Sequence, residues 1–166
     1  MQVSAEPLGL LVAAIRRAVK AMVTRRVAPL GLAPLQFWVL VGALEAPGAS
    51  QAELARRLRC DEPSVSRVVA SLARRGWLRA LRHEDDRRRV LLSLTPTGRA
   101  LARRLVPIAA EVRAEVEAPL GAAESEQVRA ALARIAGHLQ QRGQETMATE
   151  APTHVRAAHR RAGGDR

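Results

Sequence analysis

Apolar residues recur at helical spacing along most of this chain, with one short interval where the period becomes that of strands. From Leu8, the residues Leu11, Val12, Ile15, Val19, Met22, Val23 and Val27 form one stripe, with Arg16, Arg17 and Lys20 on other faces. The pattern predicts an amphipathic helix that Pro29 ends. Such a helix has to bury its stripe against something. The segment Pro34 to Leu44 is apolar on several sides, through Leu35, Phe37, Trp38, Leu40, Val41 and Leu44. It predicts an interior helix, closed by Pro47 and Gly48.

The stretch from Ser50 to Gly98 organises the rest. Ser50 can accept a hydrogen bond from the N–H of residue 53, and Glu53 can reach back to the N–H of residue 50, which marks a helix start. Leu54, Ala55 and Leu58 give that helix one apolar face. Arg59, Cys60 and Asp61 break the pattern. Asp61 is a good N-cap for a second helix, and Pro63 fits its first turn, where a missing N–H costs little. Val65, Val68, Val69 and Leu72 supply the buried side, and Gly76 ends the helix where a left-handed residue is needed. The opposite side near the start carries Pro63, Ser66, Arg67 and Ala70, with Ser64 at its margin. A helix entering a DNA major groove about 12 Å wide needs such a slim leading face.

After Gly76 the segments Trp77 to Arg82 and Val90 to Leu94 read as two antiparallel strands. Between them runs the solvated loop His83 to Arg89, ending in Arg87, Arg88 and Arg89. Thr95 and Pro96 cap and open another helix, whose stripe is Leu101, Leu105, Ile108, Val112 and Val116. Pro107 is expected to kink it or force an irregularity, since it removes an interior hydrogen bond. Pro119 to Gly121 breaks the chain. Val128, Leu132, Ile135 and Leu139 predict a last helix ending near Gly143. Residues 143–166 lose the pattern and read as a disordered basic tail.

Charge sharpens this picture. The chain carries a formal +11. Residues 50–104 hold fourteen Lys and Arg against six Asp and Glu, whereas residues 105–166 hold eight of each. The excess sits in the lobe with the slim helix and the basic loop, as a phosphate-binding surface requires. Phe37, Trp38 and Trp77 are the only aromatic residues, so single-stranded nucleic acid would find few stacking platforms. Ser66 and Arg67 are the candidates for reaching base edges, since Arg can pair bidentately with guanine. The competing role for Arg67 is a phosphate contact. Gln51 and Ser64 are candidates for holding phosphates and setting register.

These residues carry a family resemblance. The stretch from Ser50 to Gly98 resembles the DNA-binding lobe of the MarR family of bacterial transcription regulators. The resemblance rests on Asp86-Arg87-Arg88, on Leu94-Thr95-x-x-Gly98 after it, on Pro63-Ser-Val-Ser-Arg67 and on Arg75-Gly-Trp-Leu78. It covers residues 31 to 102, and the flanks agree only in helical architecture. The family often has a Ser or Thr cap where this chain has Ala33. The fold implied is mainly α with a small two-stranded β wing: a winged helix-turn-helix lobe plus a helical dimerisation region. The implied divisions are an N-terminal dimerisation helix (1–30), the DNA-binding lobe (31–98), C-terminal dimerisation helices (99–142) and the tail (143–166).

By the same resemblance the chain is a homodimer that binds an inverted repeat of duplex DNA, most often as a repressor. Asp86 and Arg88 brace the wing, and one Arg of Arg87, Arg88 and Arg89 enters the minor groove, where the negative potential is strong. Small aromatic or phenolic effectors bind family members between the dimer helices and the lobe. Trp38 and the Arg16–Arg17 pair are candidates to border such a pocket here. The competing role for both tryptophans is plain core.

Other chemistry is thin. Cys60 is the only cysteine, so no intrachain disulfide forms, and its simplest role is a small buried thiol. A redox sensor is the competing role, since nearby arginines would lower its pKa. His83-Glu-Asp-Asp86 lacks a second histidine at metal-ligand spacing, so no metal or cofactor is expected. No nucleophile–base pair or Gly-rich phosphate loop points to an enzyme. No apolar run is long enough to cross a bilayer and no leader pattern opens the chain, so a cytoplasmic protein is expected. The alternative function is a helical protein-interaction module that keeps the fold without reading DNA.

Overall fold

The computed structural model describes residues 6–82 and 90–149. Among them the chain forms α1 (Leu8–Val27), a 3-10 turn (Ala28–Leu30), α2 (Pro34–Glu45), α3 (Gln51–Leu58), α4 (Glu62–Arg74), β1 (Leu78–Arg82), β2 (Val90–Leu94), α5 (Pro96–Glu117) and α6 (Ala122–Thr149). The architecture is mainly α with a two-stranded antiparallel sheet, as the period changes predict. The chain divides into two compact units, on either side of the Ala118–Pro119 bond.

The core of the first unit is built around α2. Phe37, Val39 and Leu40 are fully buried there, with Leu54 of α3, Val65 and Leu72 of α4, Leu105 of α5 and Val23 and Val27 of α1. Gly42 lets α2 and α3 approach closely, since a β-carbon there would stand 2.7 Å from Leu54 Cδ1. Only the C-terminal end of α1 joins this core. Val19 and Met22 pack against it half-buried, whereas Leu8, Leu10, Leu11, Val12 and Ile15 stay exposed, so the N-terminal half of the predicted stripe is not used within the unit.

The predicted caps form. Glu53 N–H donates to Ser50 Oγ at 3.2 Å and Ser50 N–H to Glu53 Oε2 at 2.7 Å. Ser64 N–H donates to Asp61 Oδ1 at 2.7 Å, and Gly98 N–H to Thr95 Oγ1 at 3.0 Å. Ala33 has no side-chain acceptor, yet its N–H donates to Gln36 Oε1 at 2.9 Å, so the start of α2 keeps half of that reciprocal pair. α5 is continuous through Pro107, which has no N–H to offer the Arg103 carbonyl four residues back. A salt bridge from Arg26 to Glu111 and Glu115 ties α1 to α5.

The second unit is α6, which carries Val128, Leu132, Ile135 and Leu139 at helical spacing. It corrects the expected tail boundary, for the helix runs past Gly143 to Thr149. Gln140, Gln141, Arg142, Gln144, Glu145 and Met147 are strong helix formers, and one glycine costs only about 1 kcal/mol relative to alanine. The remainder of the expected tail, residues 150–166, lies outside the described residues. No single described helix is long and apolar enough to cross a membrane.

Candidate nucleic-acid interface

The two helices of the motif are joined by a turn that depends on one unusual residue. Arg59 adopts φ +52°, a left-handed conformation uncommon outside glycine. It turns the chain so that Cys60 N–H returns to the Ala55 carbonyl at 3.0 Å and Asp61 can cap α4. The Cys60 thiol donates to the Leu58 carbonyl at 3.3 Å. Burial pushes its pKa up, Arg16 on α1 pulls it partly back, and Asp61 raises it again. The arginine effect anticipated from sequence is present but smaller than burial, so the thiol stays protonated near neutral pH.

α4 presents two distinct sides. Val65, Val69 and Leu72 are buried, while Glu62, Pro63, Ser66, Arg67 and Ala70 are exposed. Gln36 of α2 donates to Ser71 Oγ at 3.2 Å, fixing the buried side on α2. Ser64 is half-buried and does not stand free, for Arg67 Nη2 donates to its Oγ at 3.1 Å. Hydrogen bonds from the Ser64 backbone and then its side chain hold the Asp61 carboxyl below its ordinary value. Glu62, which the sequence reading passed over, stands on the leading turn one step ahead of Ser66.

Around a hollow of about 310 Å³ the start of α3, the start of α4 and the root of the wing come together. Gln51, Arg56, Glu62 and Val90 are among its lining residues. Val90 directly follows the basic loop. That loop, with Asp86, Arg87, Arg88, Arg89 and the His83-to-Asp86 cluster, lies outside the described residues.

The wing strands pair in the register Leu78 with Leu94 through Arg82 with Val90. A third backbone segment joins them, which the sequence reading missed: Leu92 N–H donates to the Ala49 carbonyl at 2.9 Å and Gly48 N–H to the Leu92 carbonyl at 3.2 Å. The pairing is a single bridge, Ser50 with Leu91, too short to leave an alternating pattern. It links the start of α3 directly to the wing. The other end of the wing is latched to α5. Thr95 Oγ1 donates to the Gly76 carbonyl at 2.7 Å and Thr95 N–H to the Trp77 carbonyl at 3.1 Å. Arg75 lies 3.8 Å over the Trp77 ring and donates to the Gly31 carbonyl at 2.8 Å. These contacts give the Arg-Gly-Trp-Leu and Leu-Thr-x-x-Gly motifs a physical role.

A groove of about 440 Å³ opens between α2, α3 and α5, lined by Trp38, Glu45, Arg57, Leu58 and Arg113 among others. The three residues expected to border a pocket are not brought together in it. Trp38 lines the groove, whereas Arg17 lines a separate surface hollow with Lys20 and Arg25. Arg16 is exposed on α1 and acts on Cys60. Arg57 and Arg113 are the arginines that line this groove. Spacing within one helix cannot reveal a pair drawn from α3 and α5. Among the described residues no three His, Cys, Asp or Glu side chains cluster as a metal set.

A family model for the MarR family matches residues 30–89. The HTH-type transcriptional regulator BilQ of Clostridium symbiosum is 39% identical over 69 residues, which span 42% of this chain and 46% of that protein. The chain thus aligns with about half the length of that curated relative. Among solved structures, a mutant MarR from E. coli complexed with operator DNA superposes with a TM-score of 0.67 at 25% identity, covering 78% of this chain and 93% of that one. The PcaV transcriptional regulator from Streptomyces coelicolor, in complex with its natural ligand, superposes with a TM-score of 0.69 at 30% identity, covering 82% and 96%.

Proposed function

The chain belongs to the MarR family of winged-helix regulators, and from that premise we propose that it is a homodimeric repressor that binds an inverted repeat of duplex DNA. The observation that carries this reading is the shared hollow. Gln51, Glu62 and Val90 meet there, so α3, α4 and the wing address one side of the lobe. α4 enters the major groove with Ser66 and Arg67 toward the bases, and Gln51 holds a phosphate. An arginine of Arg87, Arg88 and Arg89 follows the minor groove, and Asp86 and Arg88 brace the loop. The exposed apolar half of α1 supports burial against a second copy, which sets two recognition helices about 34 Å apart. Like other DNA-binding regulators, the protein works in the cytoplasm.

The effector is a small aromatic or phenolic anion in the groove beside Trp38. Arg57 and Arg113 supply the positive charge and Trp38 the flat apolar surface. Because α3 and α5 both line the groove, a bound molecule that alters their spacing moves the two recognition helices off register and releases DNA.

A gel-shift titration with DNA from upstream of the protein's own gene tests the reading. Binding is expected to weaken steeply with salt and to fall on Arg67→Ala and on Arg88→Ala. Affinity unchanged in the double variant, or no binding even at low salt, overturns it.

A further inference from the structure

Ser64 makes two hydrogen bonds with different purposes. Its backbone N–H donates to Asp61 Oδ1 at 2.7 Å and closes the cap of α4. Its hydroxyl oxygen accepts from Arg67 Nη2 at 3.1 Å, one turn further along the helix. Ser64 holds the Asp61 carboxyl at the cap below its ordinary value, and the charge of Arg67 lowers it as well. The Arg67 guanidinium thus rests on the side chain of the same residue whose N–H closes the cap. The charge on the donor strengthens that hydrogen bond.

We propose that Ser64 is a positioning residue for Arg67, holding its guanidinium along the groove-facing side of α4 so that the remaining N–H groups meet a guanine edge. The proposal rests on the reading of Arg67 as the base-reading residue. A guanidinium has five N–H donors. One goes to Ser64, and a bidentate contact to guanine needs two of the others. An arginine that is already held loses less rotamer freedom when it docks than one that swings free. This role replaces the phosphate contact expected of Ser64 from sequence.

The two roles differ in which DNA they favour. The full-length protein is titrated against its operator, and against the same operator carrying 7-deazaguanine at the guanine on which the Arg67 contribution depends. Ser64→Ala is expected to weaken operator binding about two- to tenfold and to leave binding to the deazaguanine DNA unchanged. Ser64→Thr, which keeps the hydroxyl, restores the wild-type preference. The thermal midpoint of Ser64→Ala stays near wild type, because the cap uses a backbone N–H that alanine retains. Equal weakening on both DNAs identifies a direct phosphate contact and overturns the proposal, and so does no weakening on either. If Arg67→Ala itself binds both DNAs as the wild type does, or the wild type binds neither, the base-reading assignment fails along with it. Guanine dependence lost in Arg67→Ala but kept in Ser64→Ala defeats the positioning role alone.

Discussion

The carbonyl oxygen of Trp77 lies 1.8 Å from the point a β-carbon on residue 98 would occupy, so only glycine fits there. Gly98 is buried and its N–H caps α5 through Thr95, while Thr95 N–H reaches back to that same Trp77 carbonyl. The start of α5 is therefore pressed onto the start of β1, backbone against backbone. Backbone cannot yield as a side chain end can. Gly98→Ala is expected to destabilise the fold by about 2–3 kcal/mol, at the upper end for overpacking. Urea melts measure it directly, and a loss below about 0.5 kcal/mol would show that α5 shifts freely.

Arg75 offers a second test of the same latch. It stacks on Trp77 and donates to the Gly31 carbonyl, joining the end of α4 to the turn before α2. Arg75→Ala is expected to cost about 1 kcal/mol, the combined size of an exposed cation–π contact and one hydrogen bond to a charged group after screening. Arg75→Lys keeps the charge without the planar fork and should recover only part of this. A melt in which alanine and lysine behave alike would assign the contribution to the fork alone.

These contacts show which parts of the molecule a sequence reveals. Ser50, Asp61 and Thr95 were legible as caps because a cap is a side chain bonding to backbone three residues away. Gly76 was legible because its φ of +71° is what a helix end there requires. The strands were legible from the change of period after Gly76. The third backbone segment at Ala49 was not, since one bridge leaves no periodicity. Neither was the left-handed turn at Arg59, where glycine or asparagine would have been the signal. The groove was half legible: Trp38 was named, but Arg57 and Arg113 come from helices far apart in sequence. The stripe of α1 promised a buried face, and the intrasubunit core takes its C-terminal half, Val23 and Val27 fully and Val19 and Met22 in part.

The chemistry of Cys60 follows from its surroundings. Burial raises its pKa above the ordinary value, against the partial pull of Arg16. The thiol should alkylate slowly at pH 7, and thiolate absorbance should develop only on the alkaline side of the usual cysteine range. Arg16→Ala should move that titration further up. Because the raised pKa means the folded state holds the proton more tightly, the associated stabilisation is full below the unfolded value. It fades as pH rises through the folded one. Fast alkylation at neutral pH would contradict this and reopen a redox role.

Asp61 gives the opposite sign. Ser64 holds its carboxyl below the usual range, first through the backbone N–H and then through the side chain. The stabilisation is present above the unfolded value of 3.8 and is lost as pH falls through the lower folded one. Asp61→Asn keeps a capping oxygen and removes the titration. Between pH 5 and 2 the wild type should therefore lose more stability than the asparagine variant, with the two parallel above pH 5. Parallel curves across the whole range would mean that the cap does not titrate.

The groove between α2, α3 and α5 makes a prediction that separates it from the site the sequence suggested. Trp38 lines it, so an aromatic carboxylate such as benzoate should quench tryptophan fluorescence on binding. Trp38→Phe should abolish the response while Trp77 still emits. Arg57→Ala and Arg113→Ala should each weaken the response about tenfold, the size of one charge-assisted hydrogen bond. Arg16→Ala and Arg17→Ala should leave it unchanged, since neither side chain lines the groove. Glu45 lines the same groove and opposes an anion there, so Glu45→Gln should tighten binding rather than weaken it. A response that survives in Arg57→Ala and Arg113→Ala but fails in Arg17→Ala would move the effector to the surface of α1.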